Sequence, residues 1–207
     1  MIDSVSMTPR EKRAARTRQA ILDAAREIIT ERGAASLSLR EVARRIDYSP
    51  AGLYEYFSGK DELIEAVVAE GFSRFSDALL SIPRELEPLD YLLRLGKAYV
   101  QFAVDNPSHF MLVFTNSTIY QRRDDEDCDD DYISDGTFQT LMFGLQRAID
   151  AGLLPETLDL TEASYGAWSV VHGMAILRVT QLNQSKHDWE AATDSVLRHW
   201  FLGLTMG

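Results

Sequence analysis

Apolar residues recur along most of the chain at intervals of three and four, the spacing of one face of an amphipathic helix. In the first such segment Ile21, Ala24, Ala25, Ile28 and Ile29 share a face. All six prolines lie between the periodic segments, and no alternating apolar–polar run is long enough for a half-buried strand. The pattern therefore predicts an all-α protein of about nine helices.

Capping signals divide the N-terminal part into one long helix and two short ones. The Thr-Pro-Arg-Glu run at 8–11 forms a capping box with proline at the first helical position, and Gly33 ends that helix. Ser38 and Glu41 form a second capping box, which opens a short helix, and Ser49 begins another.

The two short helices are separated by a very tight turn. We expect the third helix to begin at Ser49 and to contain Leu53 and Phe57. Only Asp47 and Tyr48 then lie between it and the second helix. Two short helices joined in this way and packed on a longer first helix have helix-turn-helix geometry.

The rest of the chain is predicted to form a larger helical domain. A fourth helix should begin at Lys60 and end near residue 82, and the acidic run at 124–131 is too repulsive to pack and should be a loop. We place a helix-turn-helix domain at 8–58 and the larger helical domain at 59–207. The remaining helices are predicted at about 89–105, 107–116, 136–152, 160–182 and 188–205.

Charge is distributed unevenly between these two parts. The net charge of −11 argues against nucleic acid as a partner. Residues 8–60, however, hold eleven Lys and Arg against seven Asp and Glu, whereas residues 61–207 hold ten against twenty-four. A basic head on an acidic body confines any polyanion to the head.

Other chemistry has little support in the sequence. The single cysteine, Cys128, cannot form an internal disulfide, and no segment has the apolar length of a signal peptide or a membrane span, so we expect a cytoplasmic protein without membrane association. The four histidines lack metal-ligand spacing, and no glycine-rich phosphate loop is present. We therefore expect no enzyme activity, no cofactor and no metal, and the alternative of a metal sensor using the acidic run lacks the spacing of a calcium loop.

Residues 38–63 resemble a known family signature. The Ser-Leu-Arg-Glu-Val-Ala run at 38–43, followed by Leu-Tyr-Glu-Tyr-Phe-Ser-Gly-Lys-Asp-Glu-Leu at 53–63, is similar to the signature of tetracycline-repressor (TetR) family regulators. The resemblance covers residues 12–65. It implies a repressor that binds a palindromic operator in double-stranded DNA as a homodimer and is released by a small-molecule inducer.

Nine residues are candidate DNA contacts. An arginine at position 40 can reach a guanine edge, and hydroxyl groups and lysine suit phosphate. Taken singly, each has an ordinary structural alternative: a tyrosine in the core, a solvated lysine, or an arginine paired with a carboxylate. The candidates are Ser38, Arg40, Arg44, Ser49, Pro50, Gly52, Tyr54, Tyr56 and Lys60.

The turn departs from the family pattern in two places. Asp47 and Tyr48 stand where glycine and a small apolar residue are usual, and aspartate tolerates a left-handed conformation better than most residues. Gly52 replaces a residue that often touches a base, so one specificity contact is expected to be missing.

A weaker resemblance marks the larger domain, which we expect to bind ligand and to dimerise. Trp168, His172 and Gly173 look like the Trp-x-x-x-His-Gly (WHG) motif of one TetR subclass. His172 is either a polar group in an apolar or aromatic ligand pocket or a hydrogen-bonded core histidine, and the sequence leaves both open. The candidate ligand residues are Phe102, Phe110, Phe114, Phe143, Trp168 and His172.

The last two helices are apolar on more than one face, which predicts that they are buried on more than one side in a dimer. In the first of them the apolar and small residues are Gly166, Val170, Gly173 and Leu177, and in the second they are Trp189, Ala192, Val196, Trp200 and Gly203.

Overall fold

The computed structural model describes residues 7–115 and 136–205, and within these ranges the chain is helical throughout, with no strand. The predicted all-α fold is confirmed. The nine α-helices of the described residues are α1 (Pro9–Arg32), α2 (Leu39–Arg45), α3 (Pro50–Leu53), α4 (Lys60–Leu80), α5 (Pro88–Asp105), α6 (Pro107–Thr115), α7 (Gly136–Asp150), α8 (Leu160–Val179) and α9 (Trp189–Leu204).

The capping signals act as predicted at α1 and in part at α2. Thr8 and Glu11 form the complete capping box, with each side chain bonded to the other's backbone N–H. At α2 only half of the box forms, because the Ser38 hydroxyl accepts from the Glu41 N–H while the Glu41 carboxylate binds two arginines instead. The ion pairs with Arg32 and Arg44 therefore replace the second bond of the capping box, which would join the Ser38 N–H to the Glu41 carboxylate.

Helix α3 is shorter than predicted, since it ends at Leu53 rather than reaching Phe57. The chain continues as a turn, in which the Phe57 N–H still bonds to the Leu53 carbonyl at 3.0 Å. Gly52 and the aromatic residues after it have low or middling helix propensity, which accounts for the early end.

The chain divides into two compact units. The first contains the described residues up to Gly71 together with Met111–Thr115, and the second contains Phe72–Phe110 with the described residues from 136 onward. The division falls within α4, whereas the boundary at 58/59 proposed from the sequence lies before that helix. That boundary stays a prediction.

In the first unit the core is the predicted apolar face of α1. Ile21, Ala24, Ala25, Ile28 and Ile29 are all buried, and α2 packs against both α1 and α3. Each fully buried isoleucine contributes about 1.5–3 kcal/mol, so this face is the main stabilising feature of the unit. Other buried apolar side chains of the unit are Leu39, Val42, Leu53, Phe57, Leu63 and Val67.

In the second unit α5 is central and packs against α7, α8 and α9. Glycines allow two of these close approaches: a Cβ built on Gly96 would lie 2.8 Å from a methyl group of Leu197, and one on Gly144 would lie 2.7 Å from a methyl group of Leu92. None of the helices that the structure describes combines the length and the apolar character required to cross a membrane.

Candidate DNA-binding and ligand-binding sites

The turn between α2 and α3 contains a residue in the left-handed conformation. Asp47 has a φ of 52°, in the left-handed region where the family usually has glycine, as the sequence suggested. The Tyr48 N–H bonds to the Ala43 carbonyl at 2.9 Å, which closes the turn. The helix-turn-helix backbone is thus complete without glycine.

The start of α2 presents a cation to solvent. Arg40 is exposed, and among the described residues it has no ion-pair partner. Ser38 precedes it, and its hydroxyl oxygen accepts from the Glu41 N–H at 3.3 Å, so its own proton can be donated elsewhere. This end of α2 therefore offers a guanidinium and a hydroxyl to an incoming ligand.

Arg44, in contrast, is paired. Glu41 binds both Arg32, at 2.9 Å, and Arg44, at 2.8 Å, and these two guanidinium groups lower the pKa of Glu41 to about 2. The same hydrogen bond raises the pKa of Arg44. Arg44 is 73% exposed, so phosphate could compete with Glu41 for it, but it has to leave a partner to do so.

The start of α3 is small and polar. The Ser49 hydroxyl accepts from the Gly52 N–H at 3.0 Å and caps the helix, and Pro50 occupies the first helical position. Tyr54 is 60% exposed, whereas Tyr56 is half-buried and packs edge-on against Tyr48 at 6.4 Å between ring centroids.

Lys60 has a local structural contact. Its ammonium group donates to the Ala35 carbonyl at 2.8 Å and so ties the start of α4 to the short 3-10 turn at Ala34–Ser36. The side chain is only half-exposed. A phosphate contact by Lys60 would have to share the ammonium with this carbonyl.

All nine candidate DNA contacts lie in the first compact unit, and none of them is buried. Leu53, Phe57 and Leu63, which the sequence analysis left out of the contacts, are fully buried. The structure thus separates the solvent-facing positions of this segment from its core positions. Tyr48, which is 39% exposed, is a further solvent-facing position.

The second unit contains a chain of polar groups that joins α5 to α8. The Trp168 indole N–H donates to the Tyr99 hydroxyl oxygen at 3.1 Å, and the Tyr99 oxygen lies 2.8 Å from Nδ1 of His172. Because indole can only donate, the Tyr99 oxygen accepts from it. The Tyr99 hydroxyl donates to Nδ1 of His172 when the ring proton is on Nε2, and the bond runs the other way when the proton is on Nδ1. We call these three residues the polar relay.

Aromatic rings surround the polar relay. Measured between ring centroids, Phe110 lies 5.5 Å from His172 and 5.9 Å from Tyr99, while Phe75 lies 5.0 Å from Tyr99. Phe75 also contacts Phe102 at 5.2 Å. Burial lowers the pKa of His172, so the ring is favoured in its neutral form in these surroundings.

Among the ring contacts that the structure describes, none joins two of the predicted ligand residues, Phe143 and Phe114, to this cluster. The described ring contacts of Phe143 are with Tyr91, at 5.8 Å, and with the guanidinium groups of Arg84 and Arg147. Phe114 belongs to the first compact unit. Phe102, Phe110, Trp168 and His172, by contrast, all lie in or beside the cluster.

Sequence reasoning missed Tyr99, the central member of the relay. Tyr99 and Phe102 are three residues apart on α5, and both are nine-tenths buried. That spacing, which puts both side chains on one helix face, was the available signal. The acidic run at 124–131 lies outside the described residues, and within the described part of the chain no group of acidic, histidine or cysteine side chains could hold a metal ion.

Comparisons with known proteins agree with this architecture. Residues 21–67 match the profile of bacterial regulatory proteins of the tetR family, and residues 92–200, more than half of the chain, match the tetracyclin repressor-like C-terminal domain. YobS of Bacillus subtilis, an uncharacterized HTH-type transcriptional regulator, is 23% identical over 188 residues, which are 91% of this chain and 92% of YobS.

Further relatives match over less of their length. UidR of Escherichia coli, an HTH-type transcriptional regulator, is 32% identical over 90 residues, 44% of this chain and 40% of UidR. The crystal structure of FadR from Bacillus subtilis in complex with stearoyl-CoA superposes with a TM-score of 0.71 at 20% identity, covering 89% of this chain and 98% of FadR, a likeness of fold. The chain belongs to the tetR family of bacterial regulatory proteins, which are DNA-binding transcriptional regulators and not enzymes.

Proposed function

We propose that the protein is a cytoplasmic, ligand-responsive repressor that binds a palindromic operator as a homodimer and is released by a small apolar or aromatic inducer. The observation that carries the proposal is the polar relay of Tyr99, Trp168 and His172 inside the aromatic cluster of a tetR-family C-terminal domain. A few placed polar groups among aromatic rings are the usual composition of a small-molecule site.

For operator binding, the starts of α2 and α3 supply the contacts. Arg40 is an exposed cation without an ion pair among the described residues, which suits it to a guanine edge. Phosphate contacts position the head on DNA. They come from the hydroxyls of Ser38, Ser49, Tyr54 and Tyr56 and from the cations Arg44 and Lys60, while the small residues that begin α3 let the backbone approach closely.

Exposed apolar side chains on α8 and α9 support dimerisation. Leu177 is 45% exposed, Val196 is 41% exposed and Leu202 is 57% exposed, and burial of these side chains against a second copy would remove apolar surface from water. Trp200 has a different environment, because it packs within the chain on a core cluster and a Cβ built on Gly166 would lie 3.3 Å from its ring.

A charge at Val196 therefore tests the dimer better than a charge at Trp200. Val196→Glu should give a folded monomer in sedimentation at micromolar concentration, whereas Trp200→Glu should also destabilise the subunit. A dimer that survives Val196→Glu would exclude this face of α9 as the interface.

For the inducer, the aromatic cluster is the binding region that we propose. The Trp-x-x-x-His-Gly subclass assignment forms part of this proposal, with the Trp168 ring as an apolar contact and His172 as the polar contact for the ligand. FadR of Bacillus subtilis was solved with stearoyl-CoA, a ligand with a long apolar chain, which makes that compound a reasonable first probe. An aromatic alternative is 8-anilinonaphthalene-1-sulfonate.

Induction requires only that the ligand and the operator favour different conformations of the dimer. A difference in ligand affinity worth about 1–3 kcal/mol between two states weakens operator binding about 5- to 150-fold. By reciprocity the operator must weaken ligand binding by the same factor. The coupling can therefore be measured from either side.

The test is to titrate each probe with and without operator, using a duplex selected from a random pool by the wild-type protein. One probe should bind 5- to 150-fold more weakly in the presence of operator, and equal affinities would contradict ligand control. His172→Phe should impair probe binding while leaving operator affinity unchanged, with the exposed His187→Phe as matched control. Unfolding of the second unit by His172→Phe would instead identify a core histidine.

A further inference from the structure

Tyr48 fills the space in which a side chain at position 52 would project. A Cβ built on Gly52 would lie 2.6 Å from Cε1 and 3.2 Å from Cδ1 of the Tyr48 ring. Real Cβ atoms do not approach other atoms so closely, and therefore no residue other than glycine fits at position 52 while the ring stays in place. The two departures from the family pattern, a bulky turn residue and a missing side chain, are thus one structural feature.

Tyr56 also packs against the Tyr48 ring. The two rings meet edge-on with an interplanar angle of 72°, and a hydrogen bond with the Tyr56 side chain raises the pKa of Tyr48. Even so, Tyr48 is 39% exposed. The ring is fixed by its neighbours at residues 52 and 56 and still faces solvent directly before α3.

The first residues of the second helix of a helix-turn-helix are the ones that face base edges in the major groove. Gly52 offers no side chain there, and the Tyr48 ring lies over it. We infer that Tyr48, seated on Gly52 and Tyr56, is a specificity-determining residue that contacts one base pair of each operator half-site. This inference rests on the operator binding proposed above.

The chemistry of the contact follows from what the ring exposes. Apart from one hydroxyl the Tyr48 ring is aromatic carbon, and its edge-on contact with Tyr56 leaves the side chain 39% exposed, so the surface that it offers is mainly apolar. In the major groove the apolar group that distinguishes one base from another is the C5-methyl of thymine. Tyr48 therefore selects thymine, and it does so through the methyl group.

Thymine-to-uracil replacement measures this contact directly, because it removes only the methyl group. In the selected operator, one replacement in each of the two half-sites should weaken wild-type binding about 15-fold, or about four-fold for each methyl group removed. The Tyr48→Ala variant should bind the operator with thymine and the operator with uracil equally. Equal binding of both operators by the wild-type protein at every thymine would overturn the inference.

A mutant cycle tests the role of Gly52. Gly52→Ala should displace the ring and abolish the sensitivity to the thymine methyl in the Tyr48 background. Its effect on operator affinity should be smaller when it is combined with Tyr48→Ala, because only the contact of the added Cβ with Ser49 Oγ, at 2.9 Å, then remains. Equal effects of Gly52→Ala in the two backgrounds would show that the residues act independently, and would overturn the inference. Gly136→Ala, at an exposed helix start where an added Cβ meets nothing within 4 Å, is the matched control.

Two controls separate this inference from the proposed function. Circular dichroism of each variant confirms that the head is folded. A wild-type protein that selects no sequence from the random pool overturns operator binding itself and this inference with it, whereas a selected operator without methyl sensitivity overturns only the role of Tyr48.

Discussion

The polar network around Glu41 in the first compact unit and the polar relay in the second differ in their exposure to water. In the first unit the ion pairs of Glu41 with Arg32 and Arg44 lie at the surface, where water and salt screen them. In the second unit the polar relay of Tyr99, Trp168 and His172 is part-buried among aromatic rings. The Glu41 ion pairs of the first unit, the head, can therefore exchange partners at little cost. The relay of the second unit, the body, instead holds its polar groups among packed rings.

The largest effect that this comparison predicts is the loss of the relay. Tyr99→Phe removes both hydrogen bonds of the relay, so the second unit should lose about 1–3 kcal/mol, the sum of two bonds worth roughly 0.5–1.5 kcal/mol each. All three tryptophans lie in the second unit, and denaturation followed by their fluorescence measures the change. Tyr165→Phe, at an exposed position on α8, is the matched control. A loss below 0.5 kcal/mol, the low end of the range for one hydrogen bond, would mean that the relay behaves like a surface contact.

In the head, the strongest expected effect is at Arg40. Arg40→Ala should cost about 1–3 kcal/mol of operator affinity, mainly at one base pair of each half-site. Arg44→Ala should cost less, because Arg44 has to leave Glu41 before it can bind phosphate. Competition binding against operators substituted one base pair at a time measures both. A uniform loss over all sequences from Arg40→Ala would assign that residue to phosphate.

Acid should destabilise the body through His172. Burial lowers the pKa of His172 below the value of about 6.5 that it has when unfolded. The unfolded chain therefore binds the proton more readily, and the free energy of unfolding should be constant above about pH 7 and fall as pH drops through 6.5 toward the lowered pKa. Denaturation of wild type and His172→Gln from pH 8 to 5 isolates this contribution. If the two proteins show the same pH dependence, His172 titrates normally in the folded state.

The smallest expected effect concerns the surface ion pairs of the head. Glu41→Gln releases Arg44 and Arg32 from a carboxylate, so operator affinity should rise slightly and its dependence on salt should steepen by up to about one unit in the slope of log K against log salt. Affinity measured from low to moderate salt gives the slope. Glu85→Gln, which changes the same charge in the second unit, is the control.

The same contrast explains which features the sequence could predict. The head is encoded locally: the Thr8 cap, the left-handed Asp47 and the buried α1 face all depend on residues a few positions apart, and each is found as expected. The relay joins Tyr99 to residues 69 and 73 positions away, and no periodicity reports such a meeting. Phe143 shows the same limit, because its ring packs against Tyr91, a residue far away in the sequence.

The direction of the hydrogen bond between Tyr99 and His172 also limits which molecules the aromatic cluster would accept. When the Tyr99 hydroxyl donates to Nδ1, the neutral imidazole carries its proton on Nε2. A compound that reaches Nε2 of this tautomer meets a donor, whereas the opposite tautomer presents an acceptor. Ketones, esters and thioesters would be matched by the first tautomer, which would refuse ammonium groups on hydrogen-bond polarity even where their shape fits.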